Sequence, residues 1–571
     1  MWVIGKGRVA VFVGFVRLGC AVMSIGSDRG RRTTGAVLLV LVALLAVGCA
    51  RSGPVAAPQR IGPRAVALNA DVVRTDSGLV RGTVAPDHRL FQGIPYAAPP
   101  VGALRWHAPV PMPAWPGVRD AVRRGPWCVQ PDAAEVDPVS EDCLTLNVWT
   151  PTGSATEPLP VMVWIHGGSF MRGAGDIYDA QRLAVRGRIV VVTINYRLGA
   201  LGFLADSALG EPGNYGLADQ QAALRWVGEN IGEFGGDPSK VTIAGESAGG
   251  MSICDHLTAP GSARLFRAAI IQSGPCRSQV EVREAQRISR EYTEAVGCAD
   301  PRAGHPEPDR DIASCLRALP AERLVEPLWY ARFGTDQLSG PVIGTALLPR
   351  DPVQALQESS TAGPAGKPVL IGTNRDEYTM FVALRYLQRG GAITAEEYPT
   401  ELADAFGADV AQAVAEHYPP SRFDDNASLA YAAAATDDIF ACVTDRIARG
   451  LARGAPVFGY EFNDPRAPAP EIYQRVPFAL GATHSLEVRY LFDIGGAPPL
   501  DAAQRRLSDQ MIEYWTGFVV TGAPVGVGEP DWAAMEPGGK AQWMSLRTDG
   551  SRMIGDYGAE HQCDFWQTVR G

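Results

Sequence analysis

Serine, histidine and a carboxylate together can turn an alcohol into a nucleophile, and one serine in this sequence sits where that chemistry is feasible. Ser247 lies in Gly245-Glu246-Ser247-Ala248-Gly249-Gly250, directly after the strand-like run Lys240-Val241-Thr242-Ile243-Ala244. Small neighbours permit a sharp strand-to-helix turn that presents the hydroxyl. Near neutral pH that hydroxyl needs a base, commonly histidine held by a carboxylate. For a nucleophile in this setting the chain order is serine, acid, histidine. Of the eight histidines, only His417, His484 and His561 follow a suitable acid. His417 ends a helix-like stretch, and His561 lies in the C-terminal tail next to Cys563. His484 stands in the small-residue loop Gly481-Ala482-Thr483-His484-Ser485-Leu486-Glu487, which can approach a serine closely, and is the candidate base. Thr373-Asn374-Arg375-Asp376-Glu377 offers two adjacent carboxylates after a late strand. Spacing leaves both Asp376 and Glu377 open as the acid, the other being solvated or a partner of Arg375. Charge developing on a carbonyl oxygen needs backbone N–H donors. One is expected from Ala248, and others from the glycine-rich turn His166-Gly167-Gly168-Ser169-Phe170.

The elements that must hold these residues read as one α/β architecture. Residues 160–166, 189–195, 240–244, 268–272 and 368–373 are near-continuous apolar runs. Strands without alternation are buried on both faces, as in a mainly parallel sheet covered by helices. Residues 219–234 read as a helix with Leu224, Val227 and Ile231 on one face. Residues 80–84 and 89–91 read as short early strands, and 95–116 as a Pro-rich loop. The segment 297–364 is irregular and Pro-rich, and is expected to form part of a cap and gorge wall. Its aromatics Trp329, Tyr330 and Phe333 fit either a gorge lining or a cap core.

Composition is that of an ordinary globular chain: 571 residues, 46% hydrophobic and 20% charged. A net charge of -10, with no basic cluster, excludes a nucleic-acid footprint. Residues 29–32 carry three arginines, and the apolar run 35–47 ends at Gly48-Cys49. This is the pattern of a secretory leader, too short to span a membrane comfortably. Leu45-Ala46-Val47-Gly48-Cys49 resembles a bacterial lipobox, which predicts export and lipid attachment at Cys49, with soluble secretion as the alternative. The expected organisation is a signal peptide over 1–48, whose true start is Met23, a Pro/Ala-rich linker over 49–69 and a catalytic domain over 70–571. Outside the leader, Cys128, Cys143, Cys254, Cys276, Cys298, Cys315, Cys442 and Cys563 form an even set, read as disulfides in an exported protein. They show no CxxC spacing or adjacent His pair, so neither a metal nor a cofactor is expected.

These motifs together resemble the type-B carboxylesterase and cholinesterase family. Glu141-Asp142-Cys143-Leu144-Thr145-Leu146-Asn147-Val148-Trp149 is similar to one family signature, and Phe234-Gly235-Gly236-Asp237-Pro238 through Gly245-Glu246-Ser247-Ala248-Gly249 to another. Gln92-Gly93-Ile94-Pro95-Tyr96, Asn195-Tyr196-Arg197 and Asn214-Tyr215-Gly216-Leu217 also match, and the resemblance runs from about residue 71 to 566. It implies an α/β-hydrolase fold, Glu377 as the acid, His484 as the base with Glu487 nearby, and Gly168, Ser169 and Ala248 as oxyanion donors. Ser169 stands where the family commonly has Gly or Ala. The resemblance also implies the disulfides Cys128 with Cys143, Cys298 with Cys315 and Cys442 with Cys563, which leaves Cys254 with Cys276. The segment between Cys128 and Cys143 is short and holds no Trp to stack on a choline, and Trp127 is a poor substitute. A general esterase acting on small ester substrates is therefore expected rather than a cholinesterase. The competing readings are a silent binding or adhesion module, against which the intact Ser, His and Glu set argues, and lactone or carbamate cleavage at the same site. Neither native substrate nor oligomeric state is legible.

Overall fold

The computed structural model describes residues 70–570 apart from 132–137, 154, 211, 300–308, 326, 334–335 and 359–365. The leader, the linker and Cys49 lie outside the described residues. No helix among the described residues is long and apolar enough to cross a membrane.

Eleven strands form the main sheet: β1 (Thr83–Val84), β2 (His88–Pro95), β3 (Thr145–Pro151), β4 (Leu159–Ile165), β5 (Val190–Ile194), β6 (Gly236–Glu246), β7 (Ala268–Gln272), β8 (Val369–Asn374), β9 (Val457–Phe462), β10 (Trp543–Leu546) and β11 (Arg552–Ile554). Their spatial order is β1-β2-β3-β5-β4-β6-β7-β8-β9-β10-β11. From β5 to β10 all pairings are parallel, and the strands at both ends are antiparallel. The unalternating apolar runs mark the parallel block, because successive side chains enter two different cores. On β4, Val161, Val163 and Ile165 point into one apolar layer while Met162 and Trp164 point into the other. On β8, Val369 and Ile371 are likewise separated from Leu370.

Helices fill each layer. α1 (Tyr215–Asn230) and α2 (Ala248–Thr258) supply Leu224, Val227, Met251, Ile253 and Leu257 to the first. α3 (Ala502–Thr521) supplies Leu507, Met511, Trp515 and Phe518 to the second. A capping box starts α3: the Asp501 carboxylate accepts the amides of Ala503 and Gln504, and the Gln504 side chain accepts the Asp501 amide. This is the α/β-hydrolase fold. Helix α1 begins four residues before the predicted stretch and gives way to a 3-10 turn at Ile231.

The expected irregularity of 297–364 holds only in part. It contains a helix, Asp309–Ala318, and a hairpin of Ala331–Phe333 with Asp336–Leu338. Tyr330 is cap core: its hydroxyl is bonded to Ser289 Oγ (2.6 Å), the Ala205 amide and the Phe203 carbonyl. Trp329 is exposed, and the Phe333 side chain lies outside the described residues. Cys128 pairs with Cys143, Cys298 with Cys315 and Cys442 with Cys563 as the family resemblance implies, and the two cysteines it leaves over, Cys254 and Cys276, pair with each other.

Candidate functional site

The parallel strands deliver the chemistry at their C-terminal ends, where backbone turns free side chains from the sheet. Between β6 and α2 there is a single residue, Ser247, at φ +55° and ψ -122°. A side chain pays for such a backbone, and the strain is tolerated because both neighbours are fixed. The Ser247 amide donates to the Gln272 carbonyl at the end of β7 (2.9 Å), and its carbonyl accepts from Met251 (2.9 Å). The turn is that tight because α2 lies on the next strand: a Cβ on Gly249 would sit 2.0 Å from the Ile165 carbonyl oxygen. Ser247 itself is half-buried.

Glu377 stands three residues beyond the end of β8 and is fully buried. One carboxylate oxygen accepts the Asn374 amide (2.7 Å), and the other meets His484 Nδ1 at 2.6 Å. The opposite edge of the imidazole faces the serine turn, with Nε2 3.3 Å from Glu246 Oε1. Among the described residues Ser247 Oγ takes part in no hydrogen bond. Phe381 and Phe440 pack on the imidazole at 5.3 and 5.2 Å between ring centroids, closing it off from water.

Asp376 separates from Glu377 by its partners. Its carboxylate accepts the Ala482 amide (2.8 Å) and its own amide donates to the Ala482 carbonyl (3.0 Å), so it joins the acid loop to the histidine loop. Arg375 turns away and bonds to Glu560 (2.8 Å) rather than to either neighbour, which corrects the expected Arg375 partnership. The other late histidines are accounted for as well. His417 is exposed and stacks on Phe565, while His561 is buried with both ring nitrogens taken up by carboxylates, Asp437 (2.5 Å) and Glu461 (3.0 Å).

The glycine turn after β4 lies against the serine: a Cβ on Gly167 would come within 3.0 Å of Ser247 Cβ. Among the described residues the amides of Gly168, Ser169 and Ala248 donate to no protein acceptor. Ser169 sits at φ +58°, a left-handed backbone that glycine reaches at less cost, which is the physical content of its departure from the family's usual residue. Burial lowers His166 to about 4, so it is neutral, with its Nδ1–H donating to the Gly167 carbonyl (2.8 Å).

Sequence reasoning did not find a second carboxylate on the histidine. Glu246 accepts from Ser485 Oγ (2.6 Å) and faces Nε2, while Glu487 is bonded to Asn374 Nδ2 (2.7 Å) and Gln272 Nε2 (3.2 Å). Burial alone would lower His484, but the Glu246 and Glu377 charges outweigh it and raise the imidazole to about 9. Burial, then the charges of Glu246 and Glu377, pushes Glu487 up to about 8. A base must be neutral to accept a proton, so kcat/KM should rise with pH as His484 deprotonates. Removing one raising charge moves that limb down: Glu246→Gln is expected to shift it toward lower pH by about one pH unit or more. A kcat/KM profile from about pH 5 to 10 reads this, and an unmoved or upward-moved limb would remove the Glu246 charge from the account.

Comparison with known proteins gives one consistent answer. Residues 69–566 match the carboxylesterase family. The para-nitrobenzyl esterase of Bacillus subtilis (strain 168) is 35% identical over 79% of this chain and 90% of its own. The fumonisin B1 esterase of Sphingopyxis macrogoltabida is 34% identical over 85% of this chain and 88% of its own. A solved PNB esterase superposes with a TM-score of 0.73 at 33% identity, covering 87% of this chain and 99% of that one.

Proposed function

Since the chain belongs to the carboxylesterase family and is a carboxylic-ester hydrolase, we propose that it works through an acyl-enzyme on Ser247. The observation that carries this reading is the Glu377–His484 contact of 2.6 Å on an imidazole whose other edge faces the serine turn. In the free enzyme Ser247 Oγ is uncommitted, and the contact to Nε2 closes when a substrate is seated, as such contacts commonly do. Oγ then attacks the ester carbonyl while its proton passes to Nε2. The carbonyl electron pair moves to oxygen, where the amides of Gly168, Ser169 and Ala248 receive it. Collapse of the adduct expels the alkoxide, which takes the proton from Nε2 and leaves as the alcohol. Water repeats the sequence on the acyl-enzyme and releases the acid. Glu377 fixes the Nδ1–H tautomer and faces the imidazolium as it forms.

The test is hydrolysis of p-nitrophenyl esters of increasing acyl length beside labelling with a fluorophosphonate probe. Turnover with a chain-length optimum and a probe mass on the peptide holding Ser247 are expected. Folded protein that neither hydrolyses any ester nor takes the probe would leave a binding module as the better reading.

A further inference from the structure

The glycine turn is held from behind by a segment to which none of the roles above is assigned. Gly168 O accepts the amides of Met171 (2.9 Å) and Arg172 (3.0 Å), so the chain curls back on itself. The returning limb brings Gly173, at φ +113°, directly against the turn: a Cβ there would lie 2.5 Å from His166 Nδ1 and 2.7 Å from the Gly167 carbonyl oxygen. Gly173 is thus the wall on which Gly167 and Gly168 rest.

Gln130 fixes that wall. Its Oε1 accepts the Gly173 amide (2.8 Å) and its Nε2 donates to the Gly173 carbonyl (3.0 Å) and to the Cys128 carbonyl (2.9 Å). One buried carboxamide thereby satisfies both polar groups of a single residue, as a neighbouring strand would. Two further ties run along the same seam. Asn195 bridges the Gly175 amide (2.8 Å) and the Pro126 carbonyl (3.2 Å), and Trp127 Nε1 donates to Asp176 (2.8 Å). The seam begins at the Cys128–Cys143 bridge, which anchors Gln130.

We propose that Gln130 is a positioning residue for the oxyanion amides of Gly168 and Ser169, an inference that rests on the reading of those amides given above. It touches no reacting atom and acts through the Gly173 peptide. Donors aimed at a developing oxyanion work over a few tenths of an ångström, and misplacement by about 1 Å costs on the order of 100-fold in rate. The ground-state carbonyl depends less on them, so the loss falls on kcat and on tetrahedral adducts rather than on KM.

The experiment compares wild type with Gln130→Met, which keeps the side chain's length and removes its hydrogen bonds, and with Gln130→Glu. The latter keeps an acceptor for the Gly173 amide but turns its second oxygen on two carbonyls. Readouts are kcat and KM on a p-nitrophenyl ester, inhibition by a trifluoromethyl ketone, and the thermal midpoint. The ketone forms a hemiketal on Ser247, its carbonyl electron pair becoming an oxyanion as the serine proton moves to His484. Expected is a fall in kcat of roughly 10- to 100-fold, an equal loss of ketone affinity, and KM within about threefold. The Glu variant gives the answer if the Met variant does not fold. Unchanged kcat in either folded variant, a kcat loss without a matching ketone loss, or failure of both to fold would overturn the role of Gln130. A wild type that neither hydrolyses esters nor binds the ketone would instead overturn the reading on which it rests.

Discussion

Alanine at Ser247 is expected to lower kcat for ester hydrolysis by about a million-fold and to abolish phosphonate labelling, with the fold intact. Nothing in the structure depends on the hydroxyl, since Ser247 Oγ makes no hydrogen bond among the described residues. Alanine carries the same Cβ and meets the same cost at φ +55°. The backbone bonds to Gln272 and Met251 are untouched by the change. What remains is rate from the oxyanion amides and substrate binding, on the order of 1,000- to 10,000-fold above water. Single-turnover measurement with a p-nitrophenyl ester checks this. A folded variant that keeps more than about one per cent of wild-type kcat would move the nucleophile elsewhere.

Glutamine at Glu377 should cost about 10,000-fold in kcat with little change in shape. Both carboxylate oxygens act as acceptors, one from the Asn374 amide and the other from His484 Nδ1–H. An amide has only one oxygen. If that oxygen keeps the Asn374 contact, the NH2 group faces Nδ1 and stabilises the tautomer with its proton on Nε2, which cannot take one from serine. If the oxygen faces Nδ1, the NH2 group opposes the Asn374 amide, two donors with no acceptor between them. In both cases the charge that balances an imidazolium is gone. The kcat of Glu377→Gln near its pH optimum is the measurement, and a loss below about tenfold would assign the acid's role to another group.

The sequence made the nucleophile legible because its signal is local: the strand, the single turn residue and the helix start are adjacent in the chain. His484 was legible through chain order and the small residues around it. Asp376 and Glu377 could not be separated from local information. What distinguishes them is the Ala482 backbone, more than 100 residues downstream, which occupies Asp376 and leaves Glu377 to the imidazole. Glu246 was in plain view beside the serine, yet its approach to His484 spans 238 positions and leaves no periodic trace. Gln130 is hidden for the same reason, because a carboxamide that substitutes for a strand has no propensity signature. The cap was legible least, since its helix and hairpin are short and the chain between them carries Pro320 and Pro327.

The disulfide connectivity has a bearing on how the chain matures. Cys128 bonds to Cys143, Cys254 to Cys276, Cys298 to Cys315 and Cys442 to Cys563, so each of these cysteines is joined to the next one along. None of these four bridges crosses or encloses another. Among the 105 ways of pairing eight thiols, this is the one that an oxidant acting on thiols in order of emergence would produce. A polypeptide delivered amino end first could complete each covalent loop before the following thiol arrives. Its native set could therefore arise without reshuffling of mismatched bonds.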